Sequence, residues 1–260
     1  MPAANVITRW GPNGVIETWH PTTLDQLGKP ESFLEENLAQ TPELLGLVSR
    51  RTGIHGPFVV FSQLPLDTPS DRQIYPDIVL LAASGHVIVV EVKLSVNAEL
   101  RNRSVIAQIV DYAASFSALD DSQLMRIFGE DQNATTWFDL VQELFPNDTN
   151  VEELAETLRN RIAEGEINLV IVCDCIPPGV PDVVSGIASQ ETLAFDLDLV
   201  EVRPFVRDGD DAKEILFVPT TRLATEIVSR TAVSVTYREG DQQPSTDVKI
   251  IHASEADERG

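Results

Sequence analysis

The sequence predicts an α/β protein: a mixed β-sheet flanked by helices, with a β-hairpin extension at the N-terminus. Three observations predict it. The runs at 75–81, 87–93 and 167–175 are strand-sized and mostly apolar, as expected of strands buried on both faces. Residues 103–119 carry Val105, Ile106, Ile109, Tyr112, Ala113 and Phe116 at helical spacing. The order α-β-β-β-α followed by another β-strand then describes a mixed sheet with helices against it.

Taken in order, the segments 5–9 and 15–19 flank Gly11-Pro12-Asn13-Gly14, a strong hairpin signal. A helix is predicted over 30–40, with Phe33, Leu34 and Leu38 on one face and Thr41-Pro42 ending it. Pro42 can open a short second helix through Val48. Strands follow at 59–64, 75–81 and 87–93, then the helix 103–119, which Asp120-Asp121-Ser122 breaks. Further helices are predicted at 137–145, 151–165 and 180–189, with strands at 167–175, 193–204 and 214–218 and a short helix at 222–228. The chain is read as an N-terminal hairpin (1–25), a main domain (26–235) and a polar, partly disordered tail (236–260).

At 260 residues with 43% hydrophobic content, the chain can hold one large core, which excludes global disorder. No basic region followed by an apolar run opens the sequence, and no apolar run reaches membrane-spanning length, so a soluble cytoplasmic protein is expected. Cys173 and Cys175 lie too close in sequence for an ordinary disulfide and read as buried free thiols. His20, His55, His86 and His252 are scattered and form no ligand motif. With 19 basic and 41 acidic residues the net charge is −22, which opposes nucleic acid binding by bulk electrostatics. Local positive groups (Arg50-Arg51, Arg72, Arg101, Arg103) or a basic partner protein would have to supply that affinity.

The chemistry concentrates on one predicted hairpin. Ala83-Ser84-Gly85 reads as a three-residue loop with Gly85 in the left-handed position. If Ala82 opposes His86, Asp77 opposes Glu91, and Lys93 returns to the same face. A one-residue slip would undo the arrangement. Buried unpaired ions are strongly disfavoured, so two carboxylates and an ammonium on apolar strands point to a metal site with a lysine beside a metal-bound water. The alternative is a charged pair on a solvated strand face, which the apolar neighbours Val87 to Val90 and Val92 oppose. Gln108 and Tyr112, four apart, share one face of the long helix.

Glu31, Pro76-Asp77, Glu91-Val92-Lys93 and Gln108-Ile109-Val110-Asp111-Tyr112 stand in the order of the PD-(D/E)XK nuclease superfamily, in its branch with a Gln-x-x-x-Tyr motif. The chain resembles that family over Glu31 to Phe205, about two-thirds of its length. More narrowly, Glu31-Ser32-Phe33-Leu34 through Pro42-Glu43-Leu44-Leu45-Gly46, and the later Asn168 to Asp174, resemble RecB-like, NucS-type endonuclease domains. One departure is the loop after Arg51, longer than expected and bearing on which substrates reach the site.

The resemblance implies a restriction-endonuclease-like fold and a Mg²⁺-dependent DNA endonuclease, with Mn²⁺ as a substitute, acting structure-selectively in DNA repair or on foreign DNA. It implies Asp77 and Glu91 as ligands through hard oxygens, with the Val92 carbonyl as a third. Glu31 would hold the same or a second ion, or bind through water. Lys93 would orient or deprotonate the water and stabilise charge on the phosphate. Gln108 and Tyr112 would position the scissile strand or brace the site, and Arg72, Arg101 and Arg103 would meet the nucleic acid. The resemblance also admits a homodimer. A competing expectation is a non-catalytic nucleic-acid-binding or scaffolding protein that keeps the fold, which the charge favours.

Overall fold

The structure is a computed structural model that describes residues 6–10, 14, 16–46, 53–68, 72–101, 104–129, 134–188, 194–207 and 214–223. Its centre is a mixed eight-stranded sheet. The first three elements are β1 (Ile7–Trp10), β2 (Ile16–Pro21) and α1 (Glu31–Gln40), followed by a 3-10 helix (Pro42–Leu45) and β3 (Phe58–Ser62). The short β4 (Leu66–Asp67) and β5 (Gln73–Ile74) pair with each other, ahead of β6 (Ile78–Ala82) and β7 (Val87–Lys93). Then come α2 (Ala98–Arg101), α3 (Ser104–Ser117), α4 (Asp121–Phe128), α5 (Trp137–Leu144) and α6 (Val151–Glu164). Finally β8 (Asn168–Cys173), α7 (Val180–Ala188), β9 (Asp196–Arg207) and β10 (Ile215–Leu223) complete the described chain.

The strand order is β1-β2-β9-β8-β7-β6-β3, with β10 also on β9. The pairs β7–β8 and β8–β9 are parallel and the others antiparallel. Every residue of β6, β7 and β8 is buried, which is why these strands read as unbroken apolar runs rather than alternating ones. Alternation survives in what each side chain touches. Ile78, Leu80, Ile88, Val90 and Val92 pack with Leu34 and Leu38 of α1. Val79, Leu81, Val87 and Val89 face the other way, against Ile109, Tyr112 and Phe116 of α3 and Leu158 of α6.

The β6–β7 turn fixes the register on which the site depends. Ala82 N–H donates to the His86 carbonyl and Gly85 N–H to the Ala82 carbonyl, at 2.9 and 2.8 Å. Gly85 lies at φ 76°, the left-handed conformation read from the sequence. A Cβ there would come within 2.6 Å of Thr157 Cγ2 in α6. Gly85→Ala therefore combines a left-handed penalty with overpacking, and should destabilise the fold by about 1–3 kcal/mol, read as a lower melting temperature.

Several expectations are corrected. The N-terminal hairpin forms, but β2 also pairs with β9, so it belongs to the main sheet rather than lying outside it. The 3-10 helix runs over Pro42–Leu45, where Gly46 turns left-handed at φ 62°, and Val48, to which the short helix is expected to reach, lies outside the described residues. The helix expected to reach residue 119 ends at Ser117, and Asp120, expected to break it, is the cap that opens α4. Its carboxylate accepts from Gln123 N–H while the Gln123 side chain accepts from Asp120 N–H, a reciprocal cap that satisfies two helix-end donors. Arg222 and Leu223, expected to start a helix, are extended in β10, and the rest of that segment lies outside the described residues. The chain divides into units 1–225 and 226–260, and the second, with the tail, also lies outside them. Cys173 is buried and Cys175 half-buried, both as free thiols. Among the described residues no helix is long and apolar enough to cross a membrane.

Candidate active site

Beyond Ile78↔Val90, the ladder places Asp77 opposite Glu91. Asp77, Glu91 and Lys93 thus continue the file of Val79 and Val89, toward α3. They lie at the carboxyl ends of the parallel strands, where Lys93 is level with Cys173 and Cys173 with Glu201. Crevices at such ends are where open α/β sheets take ligands.

Asp77 is anchored by one backbone donor and one side-chain donor. Its Oδ2 accepts from Val92 N–H at 2.7 Å and its Oδ1 from Gln63 Nε2 at 3.2 Å. Val92, whose carbonyl the resemblance assigned to the metal, is thereby tied to Asp77 through its N–H. Glu91 is fully buried. Its Oε2 faces the Tyr112 hydroxyl at 2.8 Å, and that hydroxyl accepts from Gln108 Nε2 at 2.7 Å. Tyr112 also lies 3.0 Å from the Tyr75 carbonyl, so its single proton has two acceptors. The i, i+4 pair Gln108–Tyr112 thus reaches the site as one unit, bracing Glu91.

Glu31 enters from the first turn of α1, on the opposite face of the sheet, by reaching over the end of β7. Its Oε2 accepts from Leu94 N–H at 3.0 Å and Asn97 Nδ2 at 3.2 Å, and its Oε1 from Lys93 Nζ at 3.3 Å. Asn97 also accepts from Glu99 N–H through its own carbonyl oxygen at 2.9 Å, which caps α2. Lys93 is surrounded by carboxylates: Glu91 at 2.6 Å, Glu31 at 3.3 Å, Glu99 at 3.8 Å and Asp77 at 4.0 Å. Glu91 Oε1 is buried and has the Lys93 ammonium as its close partner.

One ammonium does not balance this many carboxylates in a low-dielectric setting. Burial, then the charge of Asp77, pushes Glu91 up to about 7 against the pull of Lys93. Burial also raises Asp77, opposed by the Val92 N–H and by Lys93. Glu35, one turn after Glu31 on the same face of α1, is likewise pushed up to about 7, by burial and then by Asp77 and Glu31. The Lys93 ammonium is held firmly protonated, because attraction to Glu91, Asp77 and Glu31 exceeds the cost of its burial.

These shifts have a defined sign. Glu91 and Glu35 bind protons more tightly in the folded state, so their contribution to stability is full below the ordinary value of 4.5 and is lost as pH rises through about 7. In metal-free buffer, this pair should lower the melting temperature progressively between about pH 5 and pH 8. Thermal melts across that range in wild type and in Glu91→Gln check it, since the slope should be shallower in the variant. Tyr112→Phe removes the hydroxyl that braces Glu91 and should cost about 1 kcal/mol of stability. If the cluster holds a divalent cation, the same variant should bind it roughly 10–100-fold more weakly, which calorimetric titration with Mn²⁺ would read.

The structure thus gathers six sequence-predicted residues: Glu31, Asp77, Glu91, Lys93, Gln108 and Tyr112. Arg72 is not among them. It is exposed and paired with Asp111 at 2.9 Å, so its charge is partly spent. Arg103 and the side chain of Arg101 lie outside the described residues. Sequence reasoning missed Gln63, Asn97 and Glu99, for which no local signal exists, and Glu35, which its four-residue spacing from Glu31 could have flagged.

Among the described residues no group of three or more His, Cys, Asp or Glu side chains forms a metal-holding cage. The donors that a hard divalent cation would use here are the carboxylate oxygens of Asp77, Glu91 and Glu31, whose negative charge exceeds that of the one lysine among them. Fold and site together define a mixed α/β protein with a buried carboxylate–lysine cluster at the end of its sheet. The chain matches no protein-family model, no curated protein and no solved structure.

Proposed function

We propose that this protein is a Mg²⁺-dependent nuclease of restriction-endonuclease-like fold, hydrolysing phosphodiester bonds in DNA. The observation that carries the reading is the convergence of Asp77, Glu91 and Lys93 on one buried face, with Glu31 and the Gln108–Tyr112 pair in direct contact. Asp77 and Glu91 would hold the ion, with Glu31 beside them. A bound divalent cation supplies charge stabilisation at the phosphate and lowers the pKa of a coordinated water. Lys93, kept protonated by its carboxylate neighbours, orients the attacking water and offers positive charge to the phosphoryl oxygens. Tyr112 and Gln108 keep Glu91 in place.

Metal binding tests this reading before any substrate is known. An ion bound only by the native state raises stability by about 2.7 kcal/mol at a hundredfold excess over Kd. Millimolar Mn²⁺ should raise the melting temperature of wild type and leave Asp77→Ala unmoved. Equal responses would place the ion elsewhere. The acidic balance of −22 favours the second reading, a non-catalytic scaffold of the same fold. A wild type that binds metal but cleaves no substrate would support it.

A further inference from the structure

Asp174 lies one residue beyond β8, level with the end of β7, and is fully buried. Its carboxylate touches none of the clustered site residues in any hydrogen bond described. Instead Oδ2 accepts from Leu24 N–H at 2.9 Å and Oδ1 from Ser95 N–H at 2.7 Å. Those two amides belong to the segments that carry the site. Leu24 opens the turn that leads into α1: its carbonyl accepts from Lys29 N–H at 2.9 Å, two residues before Glu31. Ser95 follows Leu94, whose N–H donates to Glu31 Oε2 at 3.0 Å, and Leu94 follows Lys93.

The bonds close a circuit: Asp174 to Leu24, Leu24 to Lys29, the chain to Glu31, Glu31 to Leu94, and Ser95 back to Asp174. Within it, Glu31 has to cross from the α1 face of the sheet to the end of β7. The circuit fixes both ends of that crossing to a single buried carboxylate on the neighbouring strand.

We infer that Asp174 is a positioning residue that clasps the pre-α1 turn to the β7 exit and so sets Glu31 against Lys93. This deepens the nuclease reading and rests on it for its catalytic consequence, but the clasp itself is testable without activity. Charge on an acceptor of two backbone amides strengthens both bonds. An amide in its place can accept one and must present an N–H to the other.

The test is amide hydrogen exchange on the intact chain, in wild type and Asp174→Asn, both below their melting temperatures. Exchange at Leu24 and Ser95 should accelerate, and so should exchange at Leu94, by roughly tenfold or more, although Asp174 does not touch Leu94. A merely local role would speed Leu24 and Ser95 and leave Leu94 at the wild-type rate, which overturns the inference. Should Asp174→Asn not fold, native-state exchange of wild type decides. Leu24, Leu94 and Ser95 opening as one unit supports the clasp, and independent opening contradicts it. If wild type cleaves DNA, Asp174→Asn should lower kcat about 10–100-fold with KM little changed, and should add nothing in a Glu31→Gln background. If wild type cleaves nothing, the nuclease reading fails while the exchange result still judges the clasp.

Discussion

Lys93→Met is expected to abolish phosphodiester cleavage while leaving divalent-cation binding intact or tighter. Lysine is not a metal ligand, and its ammonium sits 2.6 to 4.0 Å from four carboxylates that compete for it. Removing it takes away repulsion toward an incoming cation. It also removes the group that would act on the water and the phosphate, and deleting one such electrostatic partner typically costs about 10²–10³-fold in kcat. Stability should respond in a pH-dependent way. Breaking a buried pair by deleting one partner costs about 3–5 kcal/mol when the remaining charge cannot neutralise. Glu91 can neutralise at low pH, being already raised to about 7 with Lys93 present, so the loss should be small in acid and large in alkali. Mn²⁺ should restore much of it. Full cleavage by purified Lys93→Met would place the activity elsewhere.

Glu91→Gln is expected to behave in the opposite way. It removes a ligand, so metal affinity should fall beyond the roughly 10–100-fold that losing a ligand's hydrogen-bonding partner costs. Cleavage should be lost with it. Yet metal-free Glu91→Gln should be at least as stable as wild type above about pH 7, because a neutral side chain of the same shape no longer carries the cost of burying a charge. Lys93 keeps Glu31, Glu99 and Asp77 as partners. A stabilised but inactive variant is the pattern expected where function, not folding, retains an unfavourable group. Calorimetric titration with Mn²⁺ alongside melts at acidic and alkaline pH separates the two variants.

Much of this was legible in the sequence because the relevant signals are short-range. A three-residue loop ending in Gly85 is enough to put Asp77 opposite Glu91, and the same period places Lys93 with them. Gln108 and Tyr112 are neighbours by helical spacing alone. What escaped is of two kinds. Strands of two residues, such as β4 and β5, are below the length at which alternation is visible. Asp120 reads from the sequence as a helix stop, because Asp competes for backbone hydrogen bonds outside helices, whereas the same carboxylate starts the next helix by capping it. Other features depend on contacts distant in sequence. The bond between Asp174 and Leu24 spans 150 residues, and β2 joins the sheet through Arg207, Val206 and Phe205 of β9. Glu35 shows an intermediate case: its spacing is local, but its protonation depends on Asp77, brought near by the fold.

The most direct measurement is a cleavage assay of purified wild type and Lys93→Met, prepared side by side, on single-stranded, duplex, branched and mismatched DNA with Mg²⁺ or Mn²⁺ and with a chelator. Metal-dependent cleavage of at least one substrate by wild type, absent with the chelator and absent in Lys93→Met, is the predicted result. Cleavage of none by a wild type that binds the metal, or equal cleavage by both proteins, would contradict a catalytic role for the cluster at Asp77, Glu91 and Lys93.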